Sequence, residues 1–166
     1  MDIITRPALA SELDAAGHLT ADSFVNDGHV GPGDDYATRL RDGRDRSERA
    51  ELLVAVDPVT GALLGSVTFA APGSPYADLA REQEGEFRML AVSPQARGRG
   101  AGEALVRACI ERARDLGLAR MVMSTKPAMV SAHRIYERLG FVRTPERDWS
   151  PAPGIELMTY ALELAQ

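Results

Sequence analysis

The chain has 166 residues, of which 45% are hydrophobic and 26% charged, so it can bury a core of ordinary size. Its formal net charge is −5 and its sequence pI is near 5.2. General binding to nucleic acid or to an acidic membrane depends mainly on surface Lys and Arg. The composition therefore argues against both of these partner classes, although a local basic site stays possible.

The cysteine and histidine content and the lengths of the apolar runs argue against a disulfide-bonded, zinc-binding or membrane-spanning protein. Cys109 is the only cysteine, which rules out an intramolecular disulfide and suits a reducing compartment. His18, His29 and His133 do not have the spacing of zinc ligands, so we expect no metal site. The N-terminus has no basic segment followed by an apolar stretch, and no apolar run reaches the roughly 18 residues of a membrane span. We therefore expect a cytoplasmic protein.

The N-terminal segment predicts a short strand and an interrupted helix. Ile3 to Arg6 is the strand candidate, and Pro7 ends it. Ser11 can cap a helix that Gly17 weakens, because glycine is a poor helix former. We therefore expect a break before a second helical piece over residues 20–26.

Polar residues 27–50 are interpreted as a solvated loop or an exposed helix face, with a mobile lid over a substrate as the alternative. Residues 52–56 and 63–70 then read as two strands. The segment between them, residues 57–62, has the composition of a hairpin turn. Residues 71–85 contain two prolines and two glycines and predict a second loop.

The second half alternates strands and helices without a linker or an internal repeat. The pattern predicts a buried strand that only Arg88 interrupts, a long amphipathic helix, a strand, a second helix and two final strands. The strands are expected at residues 87–92, at residues 121–124, from Phe141 onward and at residues 155–162. The long helix is expected to end near Gly117, and the second helix to cover residues 128–139. We expect one domain over residues 1–166.

Glycines at positions 98, 100 and 102 lie between the buried strand and the long helix. The first N–H groups of a helix have no partner within it, and they lie at the positive end of its dipole. Glycines let phosphate oxygens approach these groups, and Arg97 and Arg99 add charged donors. The turn therefore predicts a phosphate or pyrophosphate ligand. The alternative is a flexible turn whose glycines only allow close packing.

Two other phosphate-binding motifs do not fit this turn. A dinucleotide-binding turn has Gly-x-Gly-x-x-Gly, and its glycine spacing differs from the one found here. A nucleoside-triphosphatase loop needs Gly-Lys followed by Ser or Thr, which this turn lacks.

Two motifs resemble the Gcn5-related N-acetyltransferase (GNAT) superfamily. Arg97-Gly-Arg-Gly-Ala-Gly102 is similar to the family signature Gln/Arg-x-x-Gly-x-Gly/Ala. Ala132-His-Arg-Ile-Tyr-Glu-Arg-Leu-Gly-Phe141 resembles the family's closing segment, Ala-x-x-Leu-Tyr-Glu-Lys-Leu-Gly-Phe. The clear match spans about residues 86–143, and the order of weaker elements extends it over most of the chain.

The resemblance implies an α/β (α+β) fold in which about four helices flank a mixed, strongly twisted sheet of six to seven strands with splayed central strands. It also implies acetyl-coenzyme A (acetyl-CoA) as co-substrate. The pantetheine arm would pair with the backbone of Leu90, Ala91 and Val92. The pyrophosphate would bind the N–H groups of the glycine turn, formed by Arg97, Gly98, Arg99, Gly100, Ala101 and Gly102.

One position departs from the family pattern. The family often has Asn seven residues before its tyrosine, and this chain has Met129 there. Ser131 is the candidate replacement for the hydrogen bond that the Asn would make to the cofactor.

Three residues are candidates for the chemistry that the resemblance implies. Glu86 is the candidate general base that deprotonates the amine, with a solvated carboxylate, Glu84 or a water chain as alternatives. The Leu90 N–H is the candidate donor to the oxyanion, because the family has a bulge in this strand. Tyr136 is the candidate acid for the departing thiolate, although its spacing alone indicates a core aromatic residue.

Three further side chains have interpretations of their own. His133 is interpreted as a residue of the surface or of the cofactor rim, rather than a catalyst. Cys109 falls on the apolar face of the long helix and is expected to be a buried structural thiol. Trp149 either lines the acceptor pocket or covers the core, and the sequence does not decide between these.

The predicted function is transfer of an acetyl group to a primary amine by direct attack in a ternary complex, without a metal. The acceptor would be a small-molecule amine or an amine of a peptide or protein, and neither nucleic acid nor membrane is expected as a partner. A homodimer is possible at the family level. The alternatives are a non-catalytic acyl-CoA sensor or protein-interaction module, and an enzyme that uses a larger acyl group such as succinyl.

Overall fold

A computed structural model describes residues 2–164. It contains one sheet of eight strands and five α-helices. The strands are β1 (Ile4–Pro7), β2 (Glu51–Val56), β3 (Leu63–Ala70), β4 (Glu84–Val92), β5 (Arg120–Thr125), β6 (Val142–Arg143), β7 (Trp149–Ala152) and β8 (Ile155–Glu163). The helices are α1 (Leu13–Asn26), α2 (Asp35–Arg41), α3 (Gly43–Arg49), α4 (Ala101–Asp115) and α5 (Val130–Arg138).

The sheet is mixed, with the strand order β1-β2-β3-β4-β5-β8-β6, and β7 pairs with β8 outside this path. Among the strand pairs of residues 2–164, only β4 and β5 run parallel, and every other pair is antiparallel. The parallel pairing covers three positions, from Glu84 opposite Arg120 to Glu86 opposite Val122. Beyond Glu86 the two central strands separate. The predicted mixed sheet with splayed central strands is confirmed.

Helix α4 forms the core on one face of the sheet through its apolar stripe. Leu105, Val106, Cys109 and Ala113 are fully buried there, as the i, i+3, i+4, i+7 pattern predicts. Burial raises the pKa of the Cys109 thiol, since its surroundings disfavour the thiolate. Cys109 is thus a buried structural thiol, as predicted. Gly117, with a φ of 72°, follows the end of α4 and allows the chain to turn back.

The predicted break in the first helix is wrong, because α1 is continuous through Gly17. A Cβ on Gly17 would lie 1.9 Å from the carbonyl oxygen of Arg41, and one on Gly43 would lie 2.1 Å from that of Leu13. The two glycines therefore let α1 approach the backbone of the α2–α3 segment. Tertiary packing, rather than helix propensity, explains the glycine at position 17.

Residues 27–50 are more ordered than a solvated loop. They contain α2 and α3, whose side chains Ala37, Leu40 and Arg46 are fully buried. The Arg46 guanidinium donates to Thr68 Oγ1 at 3.0 Å and to the Leu40 carbonyl at 2.8 Å, and burial lowers its pKa to about 10. This segment packs against α1 and β2 on the second face of the sheet, and Arg46 extends from it to β3.

The C-terminal part adds a strand that the sequence did not predict. The proline-containing residues 149–152 form β7, which makes a hairpin with β8 through Gly154. No helix within residues 2–164 is long and apolar enough to cross a membrane.

Candidate active site

A cleft of about 1330 Å³ lies where β4 and β5 separate. Sites for drug-sized ligands usually measure roughly 300–1,000 Å³, so this cleft has room for a longer molecule. Leu90, Ala91 and Val92 line one side, and Met123, Ser124 and Thr125 line the other. On its side facing β5, the part of β4 beyond Glu86 pairs with no strand of residues 2–164, so it has the geometry to receive an extended, amide-containing ligand there.

A β-bulge interrupts β4 at the cleft. Ser66 pairs with Ala91 and Thr68 pairs with Arg88, so Met89 and Leu90 both lie opposite a single residue of β3. Met89 adopts a φ of 60°, a left-handed conformation that is uncommon for a residue other than glycine. A bulge disrupts the regular ladder and turns backbone groups away from the neighbouring strand. The expected bulge is therefore present next to Leu90.

The glycine turn closes one end of the cleft. Gly98 and Gly100 have φ values of 82° and 85°, and a Cβ on either would meet no atom within 4 Å. Helix α4 begins at Ala101, directly after this turn, and Gly98, Gly100, Ala101 and Gly102 all line the cleft. The first N–H groups of the helix and the open space above the glycines fit a phosphate group.

The two arginines of the turn have different surroundings. Arg97 lines the cleft and forms an ion pair with Asp27 at 2.9 Å, which joins the turn to the end of α1. Arg99 lies outside the cleft, pairs with Asp57 of the β2–β3 turn at 3.0 Å, and donates its N–H to the Ala96 carbonyl at 3.2 Å. The Arg99 side chain thus connects the glycine turn to the β2–β3 turn, and its contact with a phosphate stays a prediction.

Glu86 lies at the point where the two central strands separate, and only 1% of it is exposed. Its Oε1 atom accepts the backbone N–H groups of Leu79 and Ala80 at 2.8 and 3.0 Å. No hydrogen bond to Oε2 is found among residues 2–164. Burial raises the pKa of the Glu86 carboxyl, although the N–H donors of Ala80 and Leu79 oppose this shift. A buried carboxylate with a raised pKa and one oxygen that accepts no hydrogen bond is a candidate proton acceptor.

Glu84, the alternative base, has the opposite environment. It is buried and accepts hydrogen bonds from Arg147, from Arg120 and from the Arg81 N–H. Burial opposes its charge, but these donors outweigh burial and lower its pKa to about 2. Glu84 therefore stays charged near neutral pH as a structural carboxylate, and the geometry favours Glu86 as the base.

Tyr136 lines the cleft from α5, within an aromatic cluster. Its ring lies 5.6 Å from that of Phe87 and 5.9 Å from that of Tyr160. Burial raises the pKa of the Tyr136 hydroxyl, and this hydroxyl forms no hydrogen bond within residues 2–164. Successive side chains of a strand point to opposite faces, so Phe87 and Tyr136 lie on one face of the sheet and Glu86 on the other. The candidate acid and base thus approach the cleft from opposite sides.

Ser131 and His133 occupy the first turns of α5. Ser131 is exposed and lines the cleft, which is compatible with its predicted contact to the cofactor. The His133 Nε2 atom lies 3.3 Å from Thr125 Oγ1 and 3.1 Å from the Lys126 carbonyl oxygen. His133 therefore has local structural partners, in agreement with its interpretation as a non-catalytic residue.

The second face of the sheet supplies a wall that sequence reasoning mostly missed. Arg88 pairs with Asp78 at 2.9 Å and donates to the Tyr36 hydroxyl at 3.5 Å, and all three residues line the cleft. Lys126 Nζ donates to the His29 carbonyl at 2.5 Å, which joins β5 to the segment before α2. The sequence offered one signal, because Arg88 is the charged residue within an otherwise apolar stretch.

Trp149 of β7 completes this wall. Its indole N–H donates to Ser124 Oγ at 2.9 Å, and the ring lines the cleft beside Ile155 and Leu157. Of the two interpretations of this residue, the structure favours the cleft wall. No group of His, Cys, Asp and Glu side chains within residues 2–164 could hold a metal ion.

Sequence comparison identifies the class of protein to which this fold and cleft belong. Residues 15–141 match the acetyltransferase (GNAT) family. The chain therefore belongs to the GNAT family, as its two motifs predicted.

Curated relatives of this chain include mycothiol acetyltransferases. A mycothiol acetyltransferase of Cellulomonas flavigena is 33% identical over 154 residues, which cover 87% of this chain and 44% of that protein. A mycothiol acetyltransferase of Salinispora arenicola is 37% identical over 131 residues, which cover 75% of this chain and 39% of that protein. The chain thus spans less than half of the length of these relatives.

Solved structures show the same fold at low sequence identity. A GNAT-family acetyltransferase from Staphylococcus aureus Mu50 has a TM-score of 0.76 at 13% identity, with 99% of this chain and 100% of that chain covered. A Salmonella typhimurium acetyltransferase, solved with its cofactor acetyl-CoA, has a TM-score of 0.69 at 19% identity, with 100% of this chain and 96% of that chain covered. At these identities the likeness concerns the fold alone.

Proposed function

We propose that this chain binds acetyl-CoA in the cleft between β4 and β5 and transfers the acetyl group to a primary amine by direct attack in a ternary complex. The observation that supports this most is the separation of the two central strands directly above a glycine turn that opens a helix. A long ligand with a pyrophosphate at one end and an amide-containing arm at the other matches both features.

The pyrophosphate binds the N–H groups of the turn formed by Gly98, Gly100, Ala101 and Gly102, with Arg97 beside them. The pantetheine arm follows Leu90, Ala91 and Val92, and Ser131 contacts the cofactor from α5. This arrangement places the thioester near the bulge, between Glu86 on one face of the sheet and Tyr136 on the other.

The chemistry divides among three groups. An alkylammonium has a pKa near 10 and must lose a proton before it attacks, and Glu86 Oε2 accepts that proton. The amine nitrogen then bonds to the thioester carbon, and the Leu90 N–H donates to the oxygen that becomes negative. When the carbon–sulfur bond breaks, the Tyr136 hydroxyl gives its proton to the thiolate. The nitrogen loses its second proton as the amide forms, and this proton restores the Tyr136 hydroxyl.

The acceptor amine enters from the face that α2, the residues after β3 and the β7–β8 hairpin enclose. Mycothiol acetyltransferases are relatives, so an acceptor with an amine on a small polar molecule is one candidate class. A test panel also contains amino acids, polyamines, aminoglycosides, and peptides with a free N-terminus or a lysine side chain. Release of the coenzyme A thiol reports acetyl transfer for every member.

Calorimetric titration with acetyl-CoA tests the cofactor site. Gly100→Asp places a carboxylate in the open space of the turn, and we expect it to weaken binding at least roughly 100-fold, because it repels the pyrophosphate and strains the turn. Gly117→Asp is the matched control: Gly117 also has a positive φ, of 72°, with no atom near its Cβ position, but it lies beyond the other end of α4. The control should bind like the wild type.

Equal affinities of both variants would contradict the assignment of the glycine turn. A folded wild-type protein that does not bind acetyl-CoA would contradict the whole proposal. Binding without thiol release for any amine in the panel would favour a non-catalytic acyl-CoA sensor. Faster turnover with succinyl-CoA than with acetyl-CoA would favour the larger acyl group.

A further inference from the structure

Arg147 is a buried arginine outside the cleft that none of the steps above uses. It ends the short 3-10 turn Pro145–Arg147, between β6 and β7, and its side chain is 9% exposed. Its two terminal amino groups bind both oxygens of Glu84, at 2.8 and 3.0 Å. One of these amino groups, Nη2, also donates to the Leu79 carbonyl oxygen at 3.0 Å.

The loop that Arg147 holds is the one that binds Glu86. Within this loop, the N–H groups of Leu79 and Ala80 donate to Glu86 Oε1, at 2.8 and 3.0 Å. The next N–H, of Arg81, donates to Glu84 Oε1 at 2.9 Å. Leu79 therefore contacts Arg147 through its carbonyl and Glu86 through its N–H, which connects the guanidinium to the candidate base through a single residue.

We propose that Arg147 is a positioning residue: it fixes residues 79–81 so that two of their N–H groups hold Glu86 Oε1 and leave Oε2 directed at the acceptor amine. This inference rests on the proposed role of Glu86 as the base. Without Arg147, the hydrogen bonds that residues 79–81 keep within the described part of the chain are those to Glu84 and Glu86, so nothing outside β4 would set the orientation of the Glu86 carboxylate through them.

The arginine is suited to this task by its planar fork. It can bind a carboxylate with two parallel bonds and still direct one N–H to a carbonyl, which an ammonium group cannot do in a fixed geometry. Arg120 provides an internal comparison. It also donates to Glu84, at 2.8 Å, and pairs with Glu163, but it makes no hydrogen bond to residues 79–81.

Amide hydrogen exchange tests the hold on the loop without an acceptor. In Arg147→Gln, the Leu79 and Ala80 amides should exchange roughly tenfold faster or more, because a charge-assisted anchor is lost. In Arg120→Gln these two amides should keep their wild-type rates. Equally faster exchange in both variants would overturn the proposal, because the effect would then come from the loss of any ion pair to Glu84. Unchanged exchange in both variants would overturn it as well, because Arg147 would then not hold the loop.

Arg147→Lys is the alternative if Arg147→Gln does not fold. It keeps the charge beside Glu84, but a single ammonium group cannot hold Glu84 and the Leu79 carbonyl in one rigid arrangement. We expect faster exchange of the Leu79 amide in this variant, with wild-type exchange along α4. Wild-type exchange at Leu79 would count against the positioning role.

Carbon-13 titration of the Glu86 carboxyl gives a second readout. The pKa of Glu86 should change only if Arg147 positions its carboxylate, and not if Arg147 merely stabilises the fold. Loss of fixed N–H donors disfavours the charged form, so the titration midpoint of Glu86 should rise in Arg147→Gln and stay constant in Arg120→Gln. The other charged groups that act on Glu86, Arg88 and Asp78, are unchanged in both variants. A constant midpoint in Arg147→Gln would contradict the inference.

Kinetics with the best amine of the panel separates this proposal from the base role itself. If Arg147 acts through Glu86, Arg147→Gln should lower kcat roughly tenfold in the wild-type background and not further in Glu86→Gln. An undiminished rate in Glu86→Gln alone would refute the base role, while the exchange and titration results would still decide whether Arg147 positions the carboxylate. Additive losses would refute the link between the two residues.

Discussion

At the scale of single residues, two glutamates of β4 show how surroundings separate the properties of identical side chains. Glu84 and Glu86 lie two positions apart on the same face of the strand, and both are at least 98% buried from solvent. Two guanidinium groups keep Glu84 charged, whereas Glu86 has only backbone N–H donors and a pKa raised by burial. Pairs of acidic groups whose pKa values are pushed apart often divide structural and catalytic roles.

Tyr136 allows a prediction at the same scale. Tyr136→Phe removes the proposed proton donor and should lower kcat about 100-fold. The hydroxyl has no hydrogen-bond partner within residues 2–164, so the free energy of unfolding should change by less than about 1 kcal/mol. Steady-state kinetics, calorimetric titration with acetyl-CoA and urea denaturation measure the three quantities, and the acetyl-CoA affinity should stay unchanged.

Tyr160→Phe is the matched control for this experiment. Tyr160 lies in the same aromatic cluster but donates to Glu137 Oε2 at 3.1 Å and does not line the cleft. We expect it to lose some stability and keep kcat. A Tyr136→Phe enzyme as fast as the wild type would refute the acid role.

At the scale of secondary-structure elements, the contact between α1 and the α2–α3 segment positions the wall of the cleft that contains Tyr36. The close approach at Gly17 and Gly43 lets the polar segment pack against α1, where Ala21 and Leu40 belong to one hydrophobic cluster. Arg46 then extends beneath this segment to Thr68 of β3. The wall that contains Tyr36 is thus supported by backbone contacts and a buried guanidinium.

Gly17→Ala tests this contact, and two opposing effects compete. Alanine favours an isolated helix over glycine by about 1 kcal/mol. Its Cβ would, however, lie 1.9 Å from the Arg41 carbonyl oxygen, so the backbones must separate. Because overpacking costs about 1–3 kcal/mol and here involves backbone, we expect a net loss of about 2 kcal/mol in the free energy of unfolding.

Urea denaturation measures this loss, with Gly33→Ala as the control. Gly33 lies just before α2, has no atom within 4 Å of its Cβ position and does not need a positive φ. Its substitution should change the free energy of unfolding by less than about 0.5 kcal/mol. A stabilised Gly17→Ala protein would mean that helix propensity dominates and that α1 and the α2–α3 segment do not pack as described.

At the scale of the whole molecule, ion pairs around the buried Glu84 join segments that are distant in the chain. Glu84 of β4 binds Arg120 of β5 and Arg147 of the β6–β7 connection, and Arg120 also pairs with Glu163 of β8. This network lies where β4 and β5 are still paired, just below the point where they separate. It therefore helps to close the base of the splayed strands and to keep the cleft open above.

The network predicts how stability depends on pH. The pKa of Glu84 is lowered from 4.5 to about 2, so its stabilising contribution is complete above pH 4.5 and is lost as the pH falls through 2. A shift of this size corresponds to roughly 3 kcal/mol in the free energy of unfolding. Urea denaturation between pH 2 and pH 7 should show this loss in the wild type and a correspondingly smaller slope in Glu84→Gln. Identical slopes in the two proteins would show that Glu84 is not held in the charged form.

The glycine turn, the long amphipathic helix and most strands were predictable because each has a local chemical pattern. Alternate glycines next to a buried strand and the periodic stripe from Leu105 to Ala113 need no tertiary information. The predicted break at Gly17 was wrong, and residues 27–50 form two helices with a buried face rather than a solvated loop, because packing against α1 and β3 overrides local propensity there. The strand at residues 149–152 was missed because its pairing with β8, rather than its proline-containing sequence, creates it.

The candidate site divides in the same way. The sequence by itself predicted the family and most of the elements, since these depend on residue types at fixed spacings, and the resemblance to that family supplied the candidate residues Glu86, Leu90 and Tyr136. Tertiary structure decided which carboxylate of β4 stays charged and that Arg99 lies outside the cleft. It also brought Arg147 within reach of the loop that holds Glu86. These outcomes depend on burial and on partners more than 40 residues away along the chain, such as Asp57 for Arg99 at a separation of 42 and Arg147 for Glu84 at 63. No local pattern encodes such contacts, because they form only when the strands pair and the helices pack.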